Sequence, residues 1–353
     1  MYKQLATLIC LLAAAGPALA QQAEPSRIAI DTVASIDEAV DGNGNFGTGV
    51  VLDAVVSADL GWGFEAVVRP FAQRLTSGEW NRQVWVATVR WQRRGDISVR
   101  VDAGLIPSPV GMGNLTLRPH NNPTISLPAS LFTSLPPIEL RGPRMTLLGV
   151  IYPYGVNATV SGARWDARTA VIDTSPLRSR RVFAPVNPPR FANLVVGGGV
   201  TPVVGLRIGA SVTHGGWQRA GENPLVLADR SATVVTVESE FSFRYTRLMG
   251  EWVRDRLETA SGDLTASGWF VQAQQTLSPR WFAAARVERM SSPTVTPLST
   301  FVDSTFSGTE EIVGYRVTPE LTIRAGHRAR RGFGRPGFDH IGEVSLVWWR
   351  RWL

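Results

Sequence analysis

The chain has 353 residues, 44% of them hydrophobic and 18% charged, with a formal net charge of +7. Lys3 is its one lysine and Cys10 its one cysteine, so the positive balance rests on arginine, a disulfide framework within the chain is excluded, and removal of a leader containing Cys10 would leave no thiol chemistry. Positive charge of this kind suits anionic solutes or lipopolysaccharide phosphates, and export leaves nucleic acid no part as a partner.

Met1 to Ala20 combines a basic start at Lys3, the apolar run LATLICLLAAA and a small-residue end before Gln21, which reads as a secretory signal peptide. The apolar run is too short to span a bilayer as a helix, which needs ~20 residues, and no later stretch approaches that length. In a membrane, residues 21–353 must therefore form a barrel, because only helices and closed barrels satisfy the backbone in lipid.

The rest of the chain alternates with period two. Leu206, Ile208, Ala210 and Val212 oppose Arg207, Gly209, Ser211 and Thr213; Trp281, Ala283, Ala285 and Val287 oppose Arg286 and Glu288; Leu321, Ile323 and Ala325 oppose Thr322, Arg324, Gly326, Arg328 and Arg330. The pattern predicts sixteen strands, near 27–36, 48–58, 62–74, 83–93, 97–108, 155–164, 167–174, 192–201, 204–214, 231–242, 246–257, 266–276, 280–290, 310–318, 320–330 and 341–352. The tight turns DLGW, RRGD, VTPV, LSPR and VTPE alternate with long Gly, Pro, Ser and Arg-rich connections such as DEAVDGNGNFG, TSPLRSRRVFAPVNPPRF and RRGFGRPGFDH. In that reading the chain turns at Thr201-Pro202, between the eighth and ninth strands, and GNGNFGTG at Gly42 to Gly49 is the first loop. Short turns on one side and long loops on the other are expected of an outer-membrane β-barrel with periplasmic turns and extracellular loops. Trp62, Trp91, Trp165, Trp281 and the terminal VWWRRW gather at the turn side, as an interfacial aromatic girdle requires. A barrel of this kind is expected to finish on an outward aromatic residue; the sequence ends Arg351-Trp352-Leu353, so Trp352 would serve one place early.

The third long connection, about 109–154, is the longest, and it is too apolar for water, with Leu115, Leu127, Leu131, Phe132, Leu135 and Ile138. A barrel of about sixteen strands encloses an aqueous channel, so this loop is expected to fold into the lumen and narrow it. The segment VRVDAGLIPSPVGMGN at Val99 to Asn114, with the hairpins VVGGGVTPVVGLRIGASVTHG and WFVQAQQTLSPRWFAAARVE, resembles the porin superfamily of Gram-negative bacteria, and more narrowly the phosphate-selective porin O and P family. The resemblance covers most of the chain after the signal peptide as hairpin architecture. It implies a homotrimer, an outer-membrane location and no cofactor. One departure is plain: that family presents a lysine cluster and arginine ladder to anions, and here no lysine follows residue 3.

If the apolar set faces lipid, the opposite set lines the channel. It contains Arg69, Arg90, Arg100, Arg207, Arg286, Arg316, Arg324 and Arg328, with Asp53, Glu65, Asp102, Glu238, Glu240, Glu251 and Glu288. Guanidinium groups on one wall and carboxylates on another would impose a transverse field favouring small polar solutes; the alternative is ion pairing between neighbouring strands. Arg118, His120, Arg141 and Arg144 are the candidate constriction residues, and arginine rings select anions. In the next loop, Arg178, Arg180, Arg181 and Arg190 suit either anions or lipopolysaccharide phosphates. The expected function is passive diffusion of small hydrophilic solutes and ions with modest anion preference. The alternatives are a barrel for a specific or hydrophobic solute, or a barrel enzyme. Against an enzyme, His120, His214, His327 and His340 are scattered without triad spacing, and no His or Cys pair has metal-ligand spacing. On this assignment of faces, Leu206→Arg should impair assembly far more than Arg207→Leu.

Overall fold

The computed structural model describes residues 28–74, 78–112, 116–138, 142–149, 152–178, 189–222, 224, 226–260, 262–295 and 301–352. Met1–Ala20, Arg141, Arg180 and Arg181 therefore lie outside the described residues. Sixteen strands form a closed antiparallel barrel in which each pairs with its neighbours in sequence and the first closes on the last, from Asp31 opposite Arg351 to Asp41 opposite Ile341. They are β1 (Ile28–Asp41), β2 (Phe46–Gly61), β3 (Phe64–Arg74), β4 (Trp80–Arg93), β5 (Ser98–Leu105), β6 (Tyr154–Ser161), β7 (Trp165–Ile172), β8 (Asn193–Val203), β9 (Leu206–Gln218), β10 (Arg230–Phe243), β11 (Thr246–Thr259), β12 (Gly262–Thr276), β13 (Trp281–Val295), β14 (Phe301–Arg316), β15 (Leu321–Arg331) and β16 (Asp339–Arg351).

Side-chain parity sorts the two faces. On β9, Ile208 and Val212 are exposed outside, while Gly209, Ser211 and Thr213 are buried inside. Val196, Val200, Val271, Val287, Val313 and Val344 continue the exposed apolar exterior around the barrel. In water so continuous a surface would drive aggregation; against acyl chains it is the matched face. Trp62, Trp165, Phe243, Tyr245 and Trp281 are exposed beside the short connections and form the girdle on that rim. Trp352 joins it: its amide donates to the Ile30 carbonyl, its indole Nε1 donates to Thr32 Oγ1 at 2.8 Å, and its ring meets Trp348 edge-on.

Several boundaries differ from the sequence expectation. Thr201-Pro202 lies inside β8 at a register irregularity, and the reversal falls at Val204-Gly205, where Gly205 takes φ +90°. A proline is tolerated there because the ladder is already interrupted. β2 begins at Phe46, so only residues 42–45 remain of the expected first loop. β13 and β14 run on to Val295 and back to Phe301, through Ser- and Thr-rich sequence whose polarity shows no apolar alternation to read. The β11–β12 connection is confined to residues 260–261, so the loops at that end are not uniformly long.

The lipid face generates a depth-dependent test. Leu206 opens β9 next to the Gly205 turn, so an arginine there costs only ~0–1 kcal/mol, whereas Val212 lies further along the strand towards mid-membrane. Val212→Arg is expected to destabilise the refolded barrel by about 2–4 kcal/mol in a urea titration, and Leu206→Arg by much less. Equal losses would contradict the depth assignment.

Candidate functional site

The described residues of the connection from β5 to β6, within 106–153, fold into the barrel and reach from the β9–β11 wall to β1 near the short-turn rim. Its descending limb passes the β9–β11 wall, where the Met112 amide donates to Glu251 Oε1 at 3.0 Å. Gly111 holds φ +70° there, and a Cβ would collide with the Glu251 carboxylate, so this close approach needs glycine. The limb then reaches β1 and β2 at Arg118. The lowest segment, Pro119–Pro123, sits at the mouth on the short-turn side, beside Phe282, Arg316, Pro319 and Trp349 around a cavity of about 310 Å³. The ascending limb climbs the β12–β16 wall, and the single helical turn Ala129–Phe132 lies near its top.

Two kinds of contact hold the loop. Its apolar side, including Val110, Leu117, Leu131, Leu135, Ile138, Met145, Leu147 and Leu148, forms one buried cluster with inward residues such as Phe71, Trp85, Ile172, Trp217, Val253 and Phe306. That layer occupies the loop-side half of the lumen, at ~25 cal/mol per Å² of apolar surface removed from water. The polar side is pinned by charged side chains of the wall. Arg286 donates to Thr124 Oγ1 at 2.8 Å, to the Ser126 carbonyl at 2.9 Å and to Glu310 Oε2 at 2.8 Å. Glu310 accepts the Ile125 and Ser126 amides and the Ser126 hydroxyl, and Glu288 accepts the Ala129 amide at 2.7 Å. Arg324 donates to the Asn122 and Thr124 carbonyls, each at 2.7 Å, and to Ser345 Oγ. Loop carbonyls that would be stranded in a water-free space thus receive charge-assisted partners.

The expected site residues divide into three groups. Arg69, Arg286, Arg324 and Glu288 are buried and act as loop anchors; Arg69 grips Asp53 through two hydrogen bonds of 3.0 and 2.8 Å and donates to Tyr152. Burial raises the Tyr152 phenol above its ordinary value, keeping it protonated beside that guanidinium. A second group forms a zigzag of ion pairs on β3–β11: Arg90 with Glu65 and Asp102, Arg100 with Asp102, Arg207 with Asp166 and Glu238, and Arg247 with Glu240. Arg100, Arg247 and Arg207 keep 42%, 37% and 31% of their side-chain surface exposed, so this wall remains hydrated. The third group lies in the loop. Arg118 is tied to Asp31 and Asp53 at 2.9 and 3.1 Å, His120 stacks on Trp349, and Arg144 is exposed.

Acids and arginines therefore alternate along neighbouring strands, and the expected separation onto opposite walls does not occur; pairing across adjacent strands costs less than isolating like charges. Arg328 is likewise paired with Glu343 at 2.6 Å, while Arg316 lies over the Phe282 ring and donates to the Pro279 carbonyl. In the following loop, Arg178 is buried, donating to Glu222 and to the Trp217 carbonyl, and Arg190 faces Asp173 at 3.6 Å. Sequence reading missed Asp31, Asp166, Arg168, Arg247, Glu310, Ser126 and Trp349. For Asp31, Asp166 and Glu310, inward parity was the available signal. Ser126 carried none, because only the folded loop brings it to Glu310.

No family model matches the chain, and no curated protein matches it. Solved structures match the fold over most of its length. OmpF of Salmonella typhi in complex with daunomycin has a TM-score of 0.60 at 8% identity, covering 92% of this chain and 97% of that one. The anion-selective porin from Comamonas acidovorans has a TM-score of 0.55 at 10% identity, covering 92% and 99%. The trimer form of OmpT, an outer membrane protein of Vibrio cholerae, has a TM-score of 0.56 at 8% identity, covering 92% and 99%. The class is thus a closed sixteen-stranded antiparallel β-barrel with the porin fold and an apolar exterior. At 8–12% identity the likeness is one of fold, and these neighbours do not carry the narrower resemblance to the phosphate-selective porin O and P family.

Two outcomes follow from the loop's anchoring. Arg286→Ala leaves Glu288 and Glu310 without their guanidinium and should lower stability by about 3–5 kcal/mol, with trypsin cutting at Arg144 faster than in the wild type. Burial, followed by the charge of Arg118, pulls His120 down to about 4, so the folded state refuses a proton that the unfolded chain accepts near 6.5. Its contribution is complete above pH 6.5 and is lost as pH falls towards 4. A pH series of melting temperatures should show this acid loss in the wild type and a smaller one in His120→Gln.

Proposed function

We propose that the protein is an outer-membrane porin through which small hydrophilic solutes and ions diffuse passively, with modest anion preference. The observation that carries this reading is the hydrated arginine–carboxylate wall of β3–β11, facing the lumen of a barrel whose exterior is apolar. A wall of paired charges keeps water ordered across the passage without binding one solute tightly. The more exposed members, Arg100, Arg247 and Arg144, tilt it towards anions. Strong phosphate selectivity is less favoured, because most of these guanidinium groups are already engaged by carboxylates. The loop makes the passage indirect, with its apolar side filling the loop-side half and solutes following the hydrated β3–β11 wall.

The same proposal takes Met1–Ala20 as an export signal and the barrel as one protomer of a homotrimer, in line with the solved trimer form of OmpT. The enzyme alternative is weaker. His214 bonds Thr233 and His327 stacks on His340, all on the outer face, while His120 stacks on Trp349. None of these histidines sits beside a serine and a carboxylate in the arrangement acyl transfer requires, among the described residues.

A planar bilayer under a potassium chloride gradient tests the reading. Stepwise conductance is expected, with a reversal potential displaced towards that of chloride, and Arg100→Glu with Arg247→Glu should move it towards that of potassium. A folded, inserted protein without conductance would defeat the channel reading.

A further inference from the structure

One sector of the largely apolar outer face carries two arginines at the same height. Arg254 on β11 and Arg289 on β13 point outwards and are exposed, and neither has a hydrogen-bond or ion-pair partner among the described residues. An arginine facing lipid costs ~2–4 kcal/mol at the midplane and ~0–1 kcal/mol near the interface, so its height matters. Each lies eight residues along its strand from the short-turn rim, at Thr246 and Trp281. On tilted strands that places them roughly 20 Å higher, at the outer edge of the apolar band.

Register assembles a polar shelf around them. Trp252, Trp269 and Arg289 are direct cross-strand neighbours on β11, β12 and β13, and the next outward row carries Arg254, Ser267 and Ser291. The two arginine Cα positions are roughly 12 Å apart from strand spacing and rise, within the combined reach of two extended side chains. Below the shelf, Trp252, Trp269, Val271 and Val287 present exposed apolar surface. The nearby acids are engaged: Asp263 by Arg256, and Glu258 by the Ser231 amide and hydroxyl.

We propose that Arg254 and Arg289, with the Ser267 and Ser291 hydroxyls, form an outer-leaflet binding site for the phosphorylated headgroup of a lipid A-type glycolipid. Guanidinium groups grip phosphate through two parallel hydrogen bonds, and serine hydroxyls supply further donors. The tryptophan pair sits where acyl chains meet headgroups, which is where indoles partition in a bilayer. Arg178 and Arg190 do not share this role, since each already faces a carboxylate. The site lies on the outer face and is independent of permeation.

Native mass spectrometry of the refolded protein in detergent tests the site, using diphosphorylated lipid A, its dephosphorylated form and phosphatidylglycerol as probes. The wild type should retain diphosphorylated lipid A at least tenfold better than either other lipid. Arg254→Gln with Arg289→Gln should abolish that preference, Arg254→Lys with Arg289→Lys should keep part of it, and the outward rim variant Arg82→Gln should match the wild type. Equal retention of all three lipids would overturn the proposal, as would a double glutamine variant that binds like the wild type. A double variant that changes oligomeric state while keeping its lipid would instead assign this face to a second copy of the chain. Heat-dependent mobility on gels confirms that each variant has folded.

Discussion

Hydrocarbon offers a peptide backbone no hydrogen bonds, and the architecture follows from that constraint. Sixteen strands satisfy one another only if the sheet closes, and the β1–β16 ladder provides the closure. Once the sheet is closed, the two faces of every strand meet different solvents. Period-two alternation then ceases to be a matter of core and surface and becomes one of lipid and lumen. Arg207 can stand between Leu206 and Ile208 for this reason alone, its guanidinium held by Asp166 and Glu238 inside while its neighbours face acyl chains.

The lumen repeats the problem on a smaller scale. A loop as apolar as residues 106–153 cannot remain in water, yet its backbone cannot be buried without partners. Its two sides resolve the conflict: aliphatic residues join inward apolar side chains of the wall, and the opposite edge is met by Arg286, Arg324, Glu288 and Glu310. The charges of the wall therefore serve two purposes. Those on β12–β16, with Arg69 on β3 and Glu251 on β11, hold the loop, while Arg100, Arg207 and Arg247 on the β3–β11 wall keep exposed surface. Deleting Arg286 leaves Glu288 and Glu310 unpaired in a dry place, and deleting Arg324 strands the Asn122 and Thr124 carbonyls.

Much of this was legible before folding. The sixteen strands, the parity of β9, β13 and β15 and the length of the third loop all follow from alternation and turn residues. Boundaries failed where alternation stops, as in the Ser- and Thr-rich extension of β13 and β14, and at Pro202, where a register irregularity absorbs a residue that otherwise marks a turn. The site was legible only as a set of inward residues. That Arg69, Arg286 and Arg324 would be anchors, and Arg100 and Arg247 water-facing, depends on where one loop settles.

The sequence by itself determined the class: parity and the pattern of connections leave a closed barrel as the form that satisfies its backbone in lipid. Only the tertiary structure decided how its charges are used. Pairing between strands is set by register, and register brings Asp102 between Arg90 and Arg100, and Arg254 and Arg289 onto one lipid-facing shelf. Residues far apart in the chain meet across the lumen, as Ser126 meets Glu310 and His120 meets Trp349, and no local pattern encodes such a meeting because its energy exists only once the barrel has closed around the loop.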